Sequence, residues 1–129
     1  MATQFSEVIK SFHSSFADKV EIPDSLELMW LERSIAEYGV EISPLAYDKL
    51  TNEFSENLDQ YVIDTLAVMM KVMYLQRRYS KVNKIVSIVG KALSVNSGMS
   101  LSKYAEDELV KTLAELEDRL TNLKPTAYN

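Results

Sequence analysis

The chain has no cysteine among its 129 residues, which excludes a disulfide scaffold, a thiolate metal site and a cysteine nucleophile. It has one histidine, His13. With no second histidine at helical spacing, a zinc site of the usual kind is excluded, and His13 reads as a surface residue. Three glycines and three prolines leave no material for a phosphate-binding glycine loop, a Gly-x-Ser-x-Gly elbow or a long flexible linker. Apolar runs are broken by charge within about ten residues, against the roughly twenty needed to span a bilayer. The first residues, Met1 to Glu7, lack the basic and apolar regions of a signal peptide. A soluble chain made inside a cell is expected. Carboxylates are plentiful (Glu53, Glu56, Asp59, Asp64), but they alternate with apolar positions as a solvated helix face does, and none is marked as a buried acid–base pair. No enzyme is expected, and no cofactor.

Acidic residues are missing from one stretch in particular. Between Lys71 and Lys103 there are seven bases (Lys71, Arg77, Arg78, Lys81, Lys84, Lys91, Lys103) and no acid. Residues 1–64 hold thirteen acids against four bases, net −9, and residues 65–129 hold ten bases against six acids, net +4. Such asymmetry suits nucleic-acid contact or head-to-tail contact between copies. It equally suits an acidic half folded against a basic half. Arg77, Lys81 and Lys84 would share one side of a helix, and the preferred reading of this basic face (Lys71, Arg77, Arg78, Lys81, Lys84) is a solvated surface paired with N-terminal acids.

At 47% apolar and 26% charged, the composition is that of one globular domain. Periodicity predicts a helix from about Gln4 to Lys19 on Phe5, Val8, Ile9, Phe12 and Phe16, capped by Thr3. After Pro23, a second helix runs to Gly39, its apolar positions Leu26, Leu28, Met29, Trp30, Leu31, Ile35 and Tyr38 covering over half its circumference. Leu28, Trp30 and Leu31 are therefore candidates for an apolar face given to a partner. Residues 40–54 read as a loop with room for a short strand or one helical turn. A third helix is expected from Ser55 or Asn57 to Val82, the spine of the domain. Its Met69, Met70 and Met73 read as core fillers. Residues 85–95 are rich in β-branched residues, and Asn96-Ser97-Gly98 reads as a turn, so a short β-hairpin is slightly favoured there over a helical extension. A last helix starts near Ser100 or Ser102. Its Leu109, Leu113, Leu116, Leu120 and Leu123 are spaced 4, 3, 4, 3, a core-facing stripe too short for a coiled coil. Pro125 ends it. The fold expected is all-α, a small bundle of about four helices in one domain (1–124), with a short tail (125–129).

The stretch from Tyr74 to Asn96 (YLQRRYSKVNKIVSIVGKALSVN), the ending Leu123-Lys-Pro-Thr-Ala-Tyr-Asn129 and the opening of the second helix around Trp30 resemble small neck proteins of tailed bacteriophages of Gram-positive hosts, the head–tail connectors or adaptors. Together these segments span about half the chain and contain no catalytic signature. The resemblance implies a structural virion protein, assembled in the host cytoplasm and placed in the virion neck. It implies a ring of about twelve copies below the portal, contact with the portal and another neck or tail protein, and passage of DNA without sequence-specific binding. Lys124, Pro125, Thr126, Ala127, Tyr128 and Asn129 would form the portal-docking tail. Val86, Ile88, Val89, Gly90, Lys91, Leu93 and Val95 would form a channel or inter-subunit loop, although Ala92 stands where the family pattern has a polar, often acidic residue. The alternative is a small helical DNA-binding regulator acting as a dimer, which calls for a short recognition helix at the basic run.

Overall fold

The computed structural model describes residues 2–16, 22–89 and 96–124, without the side chains of 81–89 and 96–102. Four helices and one two-stranded hairpin occur among the described residues, in the order α1 (Phe5–Ser14), α2 (Asp24–Glu41), β1 (Tyr47–Asp48), β2 (Glu53–Phe54), α3 (Gln60–Val89) and α4 (Asn96–Leu123). The small helical bundle expected from the sequence is what forms.

Helix α1 buries Phe5, Val8 and Phe12, the stripe read from spacing. Its cap is Gln4 and not Thr3: the Glu7 carboxylate accepts the Gln4 backbone N–H at 2.7 Å, half of a capping-box exchange. The helix ends at Ser14, short of Lys19, where the Ser14 and Ser15 hydroxyls donate back to the carbonyls of Ser11 and Phe12. Such local bonds compete with helix continuation. Residues 17–21 lie outside the described residues.

Helix α2 passes through Gly39 to Glu41. Gly39 does not take the left-handed conformation of a helix stop. The Ile42 N–H still reaches the Tyr38 carbonyl at 2.8 Å, and Pro44 follows. The hairpin then comes at 47–54, within the segment read as a loop. Tyr47 pairs with Phe54 and Asp48 with Glu53. Asp48 Oδ1 accepts the Leu50 N–H at 2.8 Å, and Asn52 takes positive φ (55°), a conformation asparagine tolerates better than most residues. The chain start is sewn to this hairpin: Phe54 N–H donates to the Thr3 carbonyl, Phe5 N–H to that of Asn52 and Thr3 N–H to that of Glu56.

Helix α3 is the spine. At 30 residues it spans about 45 Å, and it packs against α1, α2 and, most extensively, α4. From Ile63 to Leu75 its side chains are buried on nearly every side. The hairpin expected near 85–95 is not found in the described part of that segment. The α3 backbone is helical through Val89, and α4 is already helical at Asn96, so Asn96-Ser97-Gly98 is not a turn. Residues 90–95 lie outside the described residues. β-Branched residues cost a helix only a fraction of a kcal/mol each relative to alanine, too little to stop one that is already running. Buried hydroxyls inside the long helices are satisfied locally: Ser34, Thr65 and Thr112 each donate to the carbonyl four residues back.

Candidate interaction surfaces

The structure divides the molecule into a head, where α1, α2 and the hairpin cover the first half of α3, and an arm, where α3 and α4 continue as a helical pair. In the head, Phe12, Phe16, Trp30 and Tyr74 meet edge-on, with centroids 4.9–6.4 Å apart, a geometry aromatic quadrupoles favour. Phe5, Tyr47 and Phe54 form a second cluster around the hairpin. The proposed apolar partner face on α2 is corrected by this packing. Trp30 (6% exposed) and Leu31 (0%) are core residues, and Leu28 is half-buried against the same cluster. α2 was apolar around so much of its circumference because it is enclosed between α1 and α3. Its large exposed apolar residues are Met29 and Val40.

Beyond Leu75 the cover ends: Gln76, Arg77 and Ser80 are exposed. The basic face lies at this transition. Lys71 sits over the Phe16 ring, its Nζ 5.2 Å from the centroid, a cation–π contact. Arg78 pairs with Glu108 of α4 at 3.2 Å, and Arg77 has no ion-pair partner among the described residues. The α3 backbone places Lys81 and Lys84 on the Arg77 side of the helix. Of the described side chains in this face, Lys71, Arg77 and Arg78, none has an N-terminal acid as its ion-pair partner among the described residues. Among the described residues, one ion pair joins the acidic and basic halves, Lys124 with Glu41 at 3.3 Å. The other ion pairs stay within a half: His13–Glu27, Lys49–Glu32, Arg78–Glu108 and Arg119–Glu115.

Lys124 is the one tail residue described; Pro125 to Asn129 lie outside. In the proposed channel loop, Val86, Ile88 and Val89 belong to α3, while Gly90, Lys91, Leu93 and Val95 lie outside the described residues.

The leucine stripe of α4 splits. Leu116 is buried, Leu109, Leu120 and Leu123 are half-buried, and Leu113 (41%) stands exposed beside Val110 (57%). Spacing could not reveal this, because α3 covers only one edge of a stripe that is wider than the contact.

Sequence reading also missed the buried roles of Thr3, read only as a helix cap, and of Glu27. Thr3 is buried, its hydroxyl donating to Asn57 Oδ1 at 3.2 Å and accepting the Leu58 N–H at 2.7 Å. Glu27 is buried too, with both carboxylate oxygens within 3.0 Å of His13 Nε2; the helical register of α1 and α2 brings them together, which no local motif signals. A cleft of about 370 Å³ between α1 and α3 is lined by Glu7, Lys10, Ser11, Ser14, Gln60 and Asp64. Asp64 Oδ1 there already accepts bonds from Ser11 (2.7 Å) and Gln60 (2.9 Å). Among the described residues no cluster of His, Asp or Glu has the makings of a metal site, and no helix is long and apolar enough to cross a membrane.

No family model, curated protein or solved structure matches the chain.

Proposed function

We propose that the chain is a structural assembly protein, a head–tail connector that forms a ring below a bacteriophage portal and joins capsid to tail. One observation carries the reading: the charge separation of the chain is left standing within the protomer. Among the described residues the one ion pair joining the acidic and basic halves is Lys124 with Glu41, beyond the acid-free stretch Lys71–Lys103, whose Arg78 pairs instead with Glu108 of α4. Uncompensated patches of opposite sign on one protomer suit contacts between different faces of successive copies, the arrangement that closes a ring. The resemblance of residues 74–96 and 123–129 to neck proteins points the same way and supplies the finer terms: portal, neck and virion. A DNA-binding regulator would present a short recognition helix at the basic run. Here the run lies inside a 30-residue helix.

The test is assembly. Purified chain is mixed with portal rings from the same virus and imaged by electron microscopy. A ring of added density below the portal is the expected result. Absence of any bound density, together with duplex-DNA affinity that falls steeply with salt, would replace this reading with the regulator.

A further inference from the structure

Two rows of helical positions on this protomer match in spacing and oppose in charge. On α3, Ile63, Met70, Arg77 and Lys84 step by seven residues along one side. The first two are buried under the head and Arg77 is exposed. Arg77 thus stands where that side leaves the core, and the α3 backbone carries the same row on through Lys81, Lys84 and Ile88, spaced 4, 3, 4. It is a different side from the one carrying Tyr61 and Arg78, which meet Asn122 and Glu108 of α4. On α4, Glu106, Val110, Leu113 and Glu117 are also spaced 4, 3, 4 and are all exposed. Neither Glu106 nor Glu117 has an ion-pair partner among the described residues.

We infer that the basic row of one copy docks against the Glu106–Val110–Leu113–Glu117 row of a second copy. This rests on the proposed ring and names its contact. Charge complementarity selects the occupant: a basic row with no acid nearby in sequence meets an apolar pair bracketed by two glutamates. Because the rows lie on different faces of the protomer, the contact is heterologous, so each copy uses one row toward each neighbour and a chain of contacts can close. Two helix rows are small beside the roughly 1,600 Å² of a standard interface. A single contact is accordingly weak, salt-sensitive and additive around a ring.

The experiment is a charge swap on the full chain, read by sedimentation velocity over a concentration series at low and high salt. Circular dichroism checks that each variant remains helical. Wild type is expected to self-associate with concentration and to dissociate as salt rises. Arg77→Glu with Lys84→Glu, and separately Glu106→Lys with Glu117→Lys, should each weaken association by about tenfold or more. An equimolar mixture of the two folded variants should restore it, because each reversed row then meets its complement. Wild type that stays monomeric throughout the series overturns the inference, as does a mixture no more associated than its parts. Basic-row variants that lose duplex-DNA binding while self-association is unchanged also overturn it, in favour of a phosphate backbone as the occupant. If wild type rings the portal and the swapped variants do so equally well, the inference falls and the connector reading stands. If the swaps behave as expected and no portal binding occurs, the connector reading falls and the contact stands.

Discussion

The head and the arm of this protein are built from the same α3 helix by opposite means. In the head, α3 is enclosed by α1, α2 and α4 and buries apolar side chains on nearly every side from Ile63 to Leu75. In the arm it has α4 for company, and Gln76, Arg77 and Ser80 are exposed. One continuous helix is therefore a core element from Ile63 to Leu75 and turns to exposed polar side chains at Gln76, Arg77 and Ser80. The lesson is that a helix's role is set locally by what covers it.

The contrast can be broken from the head side with the largest effect. Phe12 is fully buried and meets Phe16, Trp30 and Tyr74 ring to ring. Phe12→Ala is expected to cost about 3–5 kcal/mol, the loss of transfer energy plus the cavity left behind, measured by urea denaturation. A loss under about 1 kcal/mol would mean that this cluster does not hold the head together.

Thr3 comes next. Its hydroxyl serves Asn57 and the Leu58 N–H at once, fastening the chain start to the segment that enters α3. Thr3→Val keeps the shape and strands the Leu58 donor, for an expected loss of about 1–3 kcal/mol. The same substitution tests whether the hairpin and chain start fold as one unit with the helices, since denaturation followed by tyrosine fluorescence and by circular dichroism should remain coincident.

Alkaline pH should act on the head as well. Burial, with the Asp59 carboxylate adding to it, raises the Tyr38 hydroxyl above its ordinary value of 10.0. The folded protein therefore keeps a proton that the unfolded chain gives up, so Tyr38 contributes fully below pH 10.0 and its contribution is lost as pH rises from there through the folded pKa. Stability measured between pH 9 and 11, approximately the tyrosine range, should fall less steeply in Tyr38→Phe than in wild type. Equal slopes would remove Tyr38 from the account.

Legibility in the sequence did not follow the division into head and arm. Phe5, Val8 and Phe12 announced the buried stripe of α1, since one helix against one core leaves a clean period of 3.6. The basic stretch from Lys71 was equally visible, being a matter of composition. Less was legible where burial has more than one source. Trp30 and Leu31 looked like surplus apolar surface because nothing in α2 alone says that α1 and α3 enclose it. Leu113 looked like core because it shares the spacing of Leu116, whereas α3 is too narrow to cover both. The hairpin at Tyr47–Phe54 depends on pairing with residues 3–5 some fifty positions away, which no local pattern encodes. The helix through Val89 won over β-leaning residues because propensity differences of tenths of a kcal/mol yield to tertiary context.

The smallest effect is expected in the arm, and it sharpens the comparison most. Among the described residues, Arg78 and Glu108 form the ion pair between α3 and α4 beyond the head, at 3.2 Å, with side chains 41% and 29% exposed. An exposed pair gains little over its hydrated, mobile alternatives. Arg78→Ala, Glu108→Ala and the double variant, compared by denaturation, should give a coupling energy of at most about 1 kcal/mol after screening. A coupling well above that would mean the arm is held by its charges as firmly as the head is held by its rings, and the two halves of α3 would no longer differ in kind. A coupling near zero leaves the arm's charges available at little cost to the fold, as the proposed docking requires.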